Sequence, residues 1–296
     1  MADRQKAANF SKEVLALFDG YVHGFIDRRA FLEGAAKVVG GGAAAVAVLD
    51  ALQPHYAWAA QVEEEDERIR AEYVEYDSPD GSGTMRGYMA VPEGATGAKP
   101  AVLVIHENRG LNPYVEDVVR RFAAADFVAL GPDALTPLGG YPGNDDDGRT
   151  MQRELDRDVM MEDWVAAFEF LRTQSTSNGR VGAVGFCYGG GVVNQLAVRL
   201  PNLGAGAPFY GAAPASESVA QIQAPLLIHY GGLDERVNAG WPDYQAALDA
   251  GGKTYAMHMY EGANHGFHND TTPRFDEAAA MVAQERTVAF FNEHLR

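Results

Sequence analysis

A chain of 296 residues is long enough to bury one large core or two modest ones, and its 47% apolar and 10% aromatic content is that of an ordinary globular protein. A net charge of −17 argues against holding nucleic acid or an anionic membrane by bulk electrostatics, although a local basic pocket for a small substrate survives in an acidic protein. The single cysteine excludes an intrachain disulfide, and no run of about 18 uncharged apolar residues marks a transmembrane helix.

Residues 1–60 are rich in Ala and Gly and admit two readings. Arg28-Arg29-Ala30-Phe31-Leu32 resembles a twin-arginine export motif, followed by a weakly apolar stretch at 34–49 and by Ala57-Trp58-Ala59 as a cleavage site. That reading sends the protein to the periplasm. Against it, Val14, Leu15, Leu17, Phe18, Tyr21 and Val22 recur at helical spacing behind Ser11 as N-cap, and Lys37 and Asp50 interrupt or flank the apolar stretch. The second reading is therefore a retained arm of two helices, Asp27 capping the second. Such an arm packs on the body or on a neighbouring subunit, which makes a homodimer attractive, and it leaves the protein cytoplasmic. Residues 61–68 read as an acidic, solvated linker to a body at 69–296.

The body opens with strands at 69–76 and 84–91 around the turn Ser78-Pro79-Asp80-Gly81, a hairpin. Strand 101–105, helix 114–125 and strand 127–130 follow, then a helix at 158–174 with Trp164, Phe168 and Leu171 on one side. Strands at 181–184, 207–210, 226–230 and 254–260 alternate with helices at 191–200 and 242–250, and a long helix closes the chain at 273–295. A hairpin followed by repeated β-α units predicts a mostly parallel, mixed sheet with helices on both faces. The stretch 136–149, rich in Gly, Pro and Asp, reads as an irregular active-site loop.

The chemistry centres on Val181-Gly-Ala-Val-Gly-Phe-Cys187-Tyr-Gly-Gly-Gly191. Gly185-x-Cys187-x-Gly189 between a strand and a helix is the nucleophile-elbow pattern of an α/β-hydrolase, with cysteine as nucleophile. The turn is tight enough to strain the central residue, and flanking glycines remove the Cβ atoms that would clash. The thiol then faces the positive end of the following helix, which favours thiolate. A lone cysteine is more often a buried hydrophobe, an isolated Gly-Gly-x-Asp is a turn, and an isolated loop histidine is a surface feature. Here Cys187, Asp234 and His265 stand in the order nucleophile, acid, histidine, each just past a predicted strand end, where parallel sheets carry their sites. In such a triad His265 accepts the thiol proton and Asp234 fixes the imidazole tautomer. The backbone N–H of Tyr188 is one oxyanion donor, and the other comes from the loop His106-Glu107-Asn108-Arg109-Gly110. Without further context, Glu107 and Arg109 read equally as a surface ion pair. His265 and His268 form His-x-x-His, but zinc needs a third ligand (Asp234 or His106) and an open position, and His265 is already employed. No metal and no cofactor are expected.

His-Glu-Asn-Arg-Gly, Gly-Phe-Cys-Tyr-Gly-Gly, the Asp234 turn and Asn-His-Gly-Phe together resemble the dienelactone hydrolase (carboxymethylenebutenolidase) family over residues 69–296. The resemblance implies the α/β-hydrolase fold and cleavage of a small unsaturated lactone whose carboxylate is gripped by arginines. It gives Glu107 the task of holding the resting thiol and passing its proton, and gives the second oxyanion contact to the N–H of Asn108. Family members active on dienelactone carry an arginine four residues after the triad histidine, where this chain has Asn269; Arg109 and Arg149 are the replacement candidates. The family also includes longer members with an N-terminal extension. The leading reading is thus a hydrolase of small esters or lactones that works through a thioester. A broader carboxylesterase or thioesterase and a non-catalytic binding protein are the alternatives, whereas an Asp nucleophile is excluded by Cys187 at the elbow.

Overall fold

Apolar periodicity in the first 52 residues produces three helices, one more than the sequence reading provides. A computed structural model of the chain describes residues 5–58 and 60–296. The supposed cleavage site, Ala57-Trp58-Ala59, ends on Ala59, outside the described residues. Helix α1 (Lys12–Val22) is capped by Ser11, whose hydroxyl accepts from Val14 N. Helix α2 (Arg28–Val39) is capped by Asp27, which accepts from Ala30 N, and it ends on Gly40 in the left-handed region. The Gly/Ala stretch, read only as weakly apolar, forms α3 (Gly42–Leu52). Val14, Phe18, Phe31, Ala35 and Leu49 meet in a core belonging to this arm alone. No single described helix is long and apolar enough to cross a membrane; α2 and α3 satisfy the criterion only together, bent by 113°.

The body follows the predicted alternation. Its elements in order are β1 (Ile69–Ser78), β2 (Gly83–Pro92), β3 (Lys99–Ile105), α4 (Pro113–Ala124), β4 (Val128–Pro132), α5 (Asp145–Glu154), α6 (Arg157–Thr173), β5 (Ser177–Phe186), α7 (Tyr188–Arg199), β6 (Ala205–Phe209), β7 (Leu226–Gly231), α8 (Glu235–Asn238), α9 (Trp241–Ala250), β8 (Tyr255–Tyr260) and α10 (Glu277–Leu295). The eight strands lie in the order β1-β2-β4-β3-β5-β6-β7-β8. Pairing is antiparallel at β1/β2 and β2/β4 and parallel from β4/β3 onward. This is the α/β-hydrolase fold. One face is covered by α6, α7 and α9 through Trp164, Phe168, Leu196 and Leu248; the other by α4 and α10 through Val118, Phe122 and Phe291.

Four local expectations are corrected. The stretch 136–149 is not irregular throughout: Asn144 caps α5, and Asp145, Asp146 and Asp147 fill its first turn, where acidic groups meet the positive helix end. Composition that reads as loop is here a helix start. Helix α7 begins directly at Tyr188, its first turn hidden from a propensity reading by Gly189, Gly190 and Gly191. The last helix starts at Glu277 behind Asp276, leaving Pro273 and Arg274 in the preceding loop. Nor is the acidic linker free at its start. The Asp117 carboxylate accepts from Val62 N at 2.9 Å and Gln61 N at 3.3 Å, and Arg120 Nε donates to Val62 O.

Candidate active site

Strand β5 runs into α7 with no connecting loop, and Cys187 takes the whole turn at φ 55° and ψ −111°. A non-glycine residue in this region costs on the order of 1–3 kcal/mol and persists only where its surroundings enforce it. They do so here. A Cβ on Gly185 would come within 2.2 Å of Gly189 O, and a Cβ on Gly189 within 2.3 Å of Ile105 O, so the elbow closes against β3 only because both are glycine. Cys187 is 8% exposed, and Tyr188 supplies one of the first-turn N–H groups that no helical carbonyl satisfies.

Asp234 lies three residues past β7 and is the N-cap of α8, where Oδ1 accepts from Val237 N at 3.2 Å. That bond fixes the carboxyl plane and aims Oδ2 at His265 Nδ1, 2.5 Å away. Burial opposes charging either group, but each stabilises the other's ion. The Asp234 pKa is lowered by His265, and that of His265 is raised by Cys187 first and by Asp234 beside it. His265 Nε2 is buried and makes no hydrogen bond.

The hydrogen-bond partner of the thiol comes from the arm. His23 follows the last residue of α1, and its Nε2 lies 3.3 Å from Cys187 Sγ. Its Nδ1 bonds to the Asp19 carbonyl at 2.8 Å, with Asp19 Oδ1 at 3.2 Å. The His23 and His265 rings meet edge to face at 4.8 Å between centroids. One donor atom from each of His23, Cys187 and His265 lies within 4.8 Å of the other two. Two imidazoles and a thiol are donor types that zinc accepts. The His265–His268 pair does not converge on a metal: His268 is turned to Tyr114 and Gln284, and His106 to the Glu107 carbonyl and Ala134 N. Burial alone would raise the Cys187 pKa, but the two imidazoles outweigh it and bring it down to about 5. Burial alone would lower that of His23, but Cys187 and Asp19 raise it to about 9.

The loop after β3 is buried rather than a surface ion pair. Glu107, 1% exposed, accepts from Asn269 Nδ2 at 2.9 Å and faces Arg109 at 3.4 Å. Asn269, standing where the resemblance implies an arginine, thus binds this glutamate. Asn108 donates from Nδ2 to Val22 O at 2.6 Å, tying the loop to the end of α1.

The sequence model of the dienelactone hydrolase family matches residues 85–295, and a YqhI-like model matches residues 1–39. The chain belongs to the dienelactone hydrolase family. It is a hydrolase acting on esters. Carboxymethylenebutenolidase 1 of Cupriavidus pinatubonensis is 27% identical over 73% of this chain and 94% of its own. An Escherichia coli K12 protein named "Putative hydrolase fragment YghX" is 56% identical over 112 residues, which are 38% of this chain and 96% of that one. The crystal structure of the dienelactone hydrolase-like promiscuous phosphotriesterase P91, from metagenomic libraries, shares the fold at a TM-score of 0.68 and 23% identity, covering 77% of this chain and all of the other.

In this dienelactone hydrolase family member the arginines expected to grip a carboxylate are already engaged. Arg109 Nη1 donates to Asp145 Oδ2 at 2.7 Å, and Arg149 pairs with Asp146 while stacking over Tyr21 at 5.0 Å. His23 beside the thiol, and Asp19, Arg236 and Arg274 grouped behind it, escape a sequence reading. Arg236 Nη2 lies 3.0 Å from His23 Nε2, and Arg274 Nη1 lies 3.7 Å from Asp19 Oδ1. The usable signal was Asp19 and His23 at helical i,i+4 spacing, but nothing in the sequence ties that pair to position 187.

Proposed function

We propose that the chain hydrolyses small esters or lactones with Cys187 as nucleophile and Asp234–His265 as its acid–base pair. Sγ, ionised beside the imidazoles, attacks the substrate carbonyl, while protonated His265 holds the proton that the leaving group needs. The resulting oxyanion is held by the N–H groups of Tyr188 and Asn108, each worth about 10²–10³ in rate. Collapse expels the leaving oxygen, which takes the proton from His265 and leaves a thioester on Cys187. Water, deprotonated by His265, then attacks the thioester; the acid departs and the thiol is restored. The Glu107 carboxylate bonds Asn269 and faces Arg109, and the thiol's hydrogen-bonding contact is His23, so in this reading Glu107 orients the oxyanion loop in place of the thiol-holding role that the resemblance implies. The single observation that carries the proposal is the 2.5 Å Asp234–His265 bond facing a cysteine strained at φ 55°.

A second reading of substrate class is favoured by one observation. Arg109 and Arg149 are buried in ion pairs with Asp145 and Asp146, and Asn269 replaces the remaining arginine, so a carboxylate on the substrate has no arginine among these three. This removes these three positions as the grip on an anionic lactone and supports a broader carboxylesterase, with Arg236, 3.0 Å from His23 Nε2, as the arginine left beside the site. The test compares an aryl acetate with the aryl hemisuccinate and follows the protein by mass spectrometry during turnover. Acyl mass on the peptide bearing Cys187, no turnover in Cys187→Ala, and no preference for the hemisuccinate are expected. Full turnover in Cys187→Ala sinks the nucleophile assignment; a strong hemisuccinate preference sinks the substrate assignment alone.

A further inference from the structure

We infer that the N-terminal arm supplies a second catalytic histidine, His23, so that Cys187 sits between two Asp–His pairs, Asp19–His23 and Asp234–His265. The inference rests on the proposal that Cys187 is the nucleophile, and it concerns how that thiol loses its proton. His23 Nε2 lies 3.3 Å from Sγ in hydrogen-bonding geometry, and the His265 donor atom lies within 4.8 Å of the same cluster and also draws the thiol toward its ionised form. The tautomer follows from the other nitrogen: Nδ1 faces the Asp19 carbonyl at 2.8 Å, which can only accept, so Nδ1 carries the proton and Nε2 is the base. Proton transfer breaks the S–H bond, forms N–H on Nε2 and leaves a thiolate beside an imidazolium. Arg236 Nη2, 3.0 Å from Nε2 in the neutral state, then turns toward Asp19 Oδ2, already 3.4 Å from its Nε.

The backbone is arranged for that charge separation. His23 is at the C-terminal end of α1, where carbonyls without helical partners favour a cation. Cys187 is at the N-terminal end of α7, where free N–H groups favour an anion. The arm is held in place near the site by hydrogen bonds from Ala7 N to Pro273 O at 2.7 Å, from His55 N to Thr271 O at 2.8 Å and from Asn108 to Val22 O. Two of these partners lie in the segment that follows His265, so the arm and the triad histidine share a support. The charged and titratable groups around the pair are Asp19 on α1, Arg236 on α8, His265, Asp234 and Arg274 on the loops beyond β7 and β8, Glu107 after β3, and the Tyr210 hydroxyl after β6.

The test is the pH profile of alkylation by iodoacetamide in the full-length protein, followed by intact mass from pH 4 to 9. The thiolate displaces iodide, so the rate tracks the ionised fraction. The wild-type midpoint is expected near 5. His23→Gln is expected to raise it by one unit or more and to cut the rate at pH 6 by about tenfold for a two-unit shift. Asp19→Asn, which keeps the imidazole and its packing, should raise it less, and it carries the test if His23→Gln fails to fold. An unchanged midpoint in the folded variants overturns the inference. So does faster alkylation with an unchanged midpoint, because the arm is then only a cover. Ester hydrolysis in Cys187→Ala at the wild-type rate fails the nucleophile proposal instead, independently of these midpoints.

Discussion

Replacing Asp234 by Asn tests the proposed acid–base pair without dismantling the site. The side chain has two separable jobs: Oδ1 caps α8 by accepting from Val237 N, and Oδ2 accepts the His265 Nδ1 proton at 2.5 Å. Asn keeps the cap, since its carbonyl oxygen takes the Val237 bond and Asn and Asp are comparable N-caps. The amide nitrogen is then left facing Nδ1. Two donors cannot share that contact, so the imidazole moves its proton to Nε2 and can no longer accept one from Cys187. Loss of the correct tautomer costs up to about 10⁴ in kcat, and we expect a fall of about 10²–10⁴, or about 3–5 kcal/mol of transition-state stabilisation. Stability should change by no more than about 1 kcal/mol, because the cap survives. The assay is kcat on an aryl acetate between pH 6 and 9, beside a thermal melt. A drop of less than about tenfold in a protein that melts normally would refute the assignment of Asp234.

The elbow and the arm give two further expectations. Gly189→Ala places a Cβ 2.3 Å from Ile105 O and 2.6 Å from His106 O, both backbone atoms, so the end of β3 and the Glu107–Asn108 loop must move. About 1–3 kcal/mol of stability should be lost, together with at least tenfold in kcat, measured by melting and by steady-state turnover; a melt and a rate like wild type would contradict the packing argument. The His23–Cys187 contact should stabilise the fold within a pH window. His23 has a raised folded value, so its contribution is full below its unfolded value near ~6.5 and is lost as pH rises through about 9. Cys187 has a lowered folded value, so its contribution is present above its unfolded value near ~8.5 and is lost as pH falls through about 5. The difference in melting temperature between wild type and His23→Gln should therefore be largest between about pH 5 and 9 and shrink on both sides. A difference that does not vary with pH would show that His23 contributes packing alone.

The sheet was legible because its signals are local. Alternating apolar runs and the Ser78–Gly81 turn announce β1 and β2, and the buried runs of β3, β4 and β5 read as strands of a covered sheet. The elbow was legible for a similar reason: Gly185 and Gly189 on either side of Cys187 leave few other backbone solutions. What stayed hidden depends on tertiary placement. Glycines masked the first turn of α7, and acidic residues that cap α5 passed for a loop. Arg109 and Arg149 carry no mark in the sequence showing that Asp145 and Asp146 already hold them. Asn269 illustrates the limit, for its departure from the family pattern was visible while its bond to Glu107 across 162 positions was not.

That limit bears most on residues 1–60. Read as an address, the segment is removable at no chemical cost to the body. As folded, it carries a core of its own around Phe31 and hydrogen bonds to the loop that follows His265, and it delivers His23 to Cys187. Cleavage near residue 59 would take away His23 and Asp19 together and leave His265 alone to draw the proton from Cys187. It would also free Asn108 from Val22, loosening the loop proposed to supply the second oxyanion donor. The export reading and the arm reading thus differ in the acidity of one thiol. That quantity can be measured on the protein recovered from cells: a midpoint near 5 is expected for the intact arm, and one displaced toward the ordinary thiol range of about 8.5 for a shortened chain.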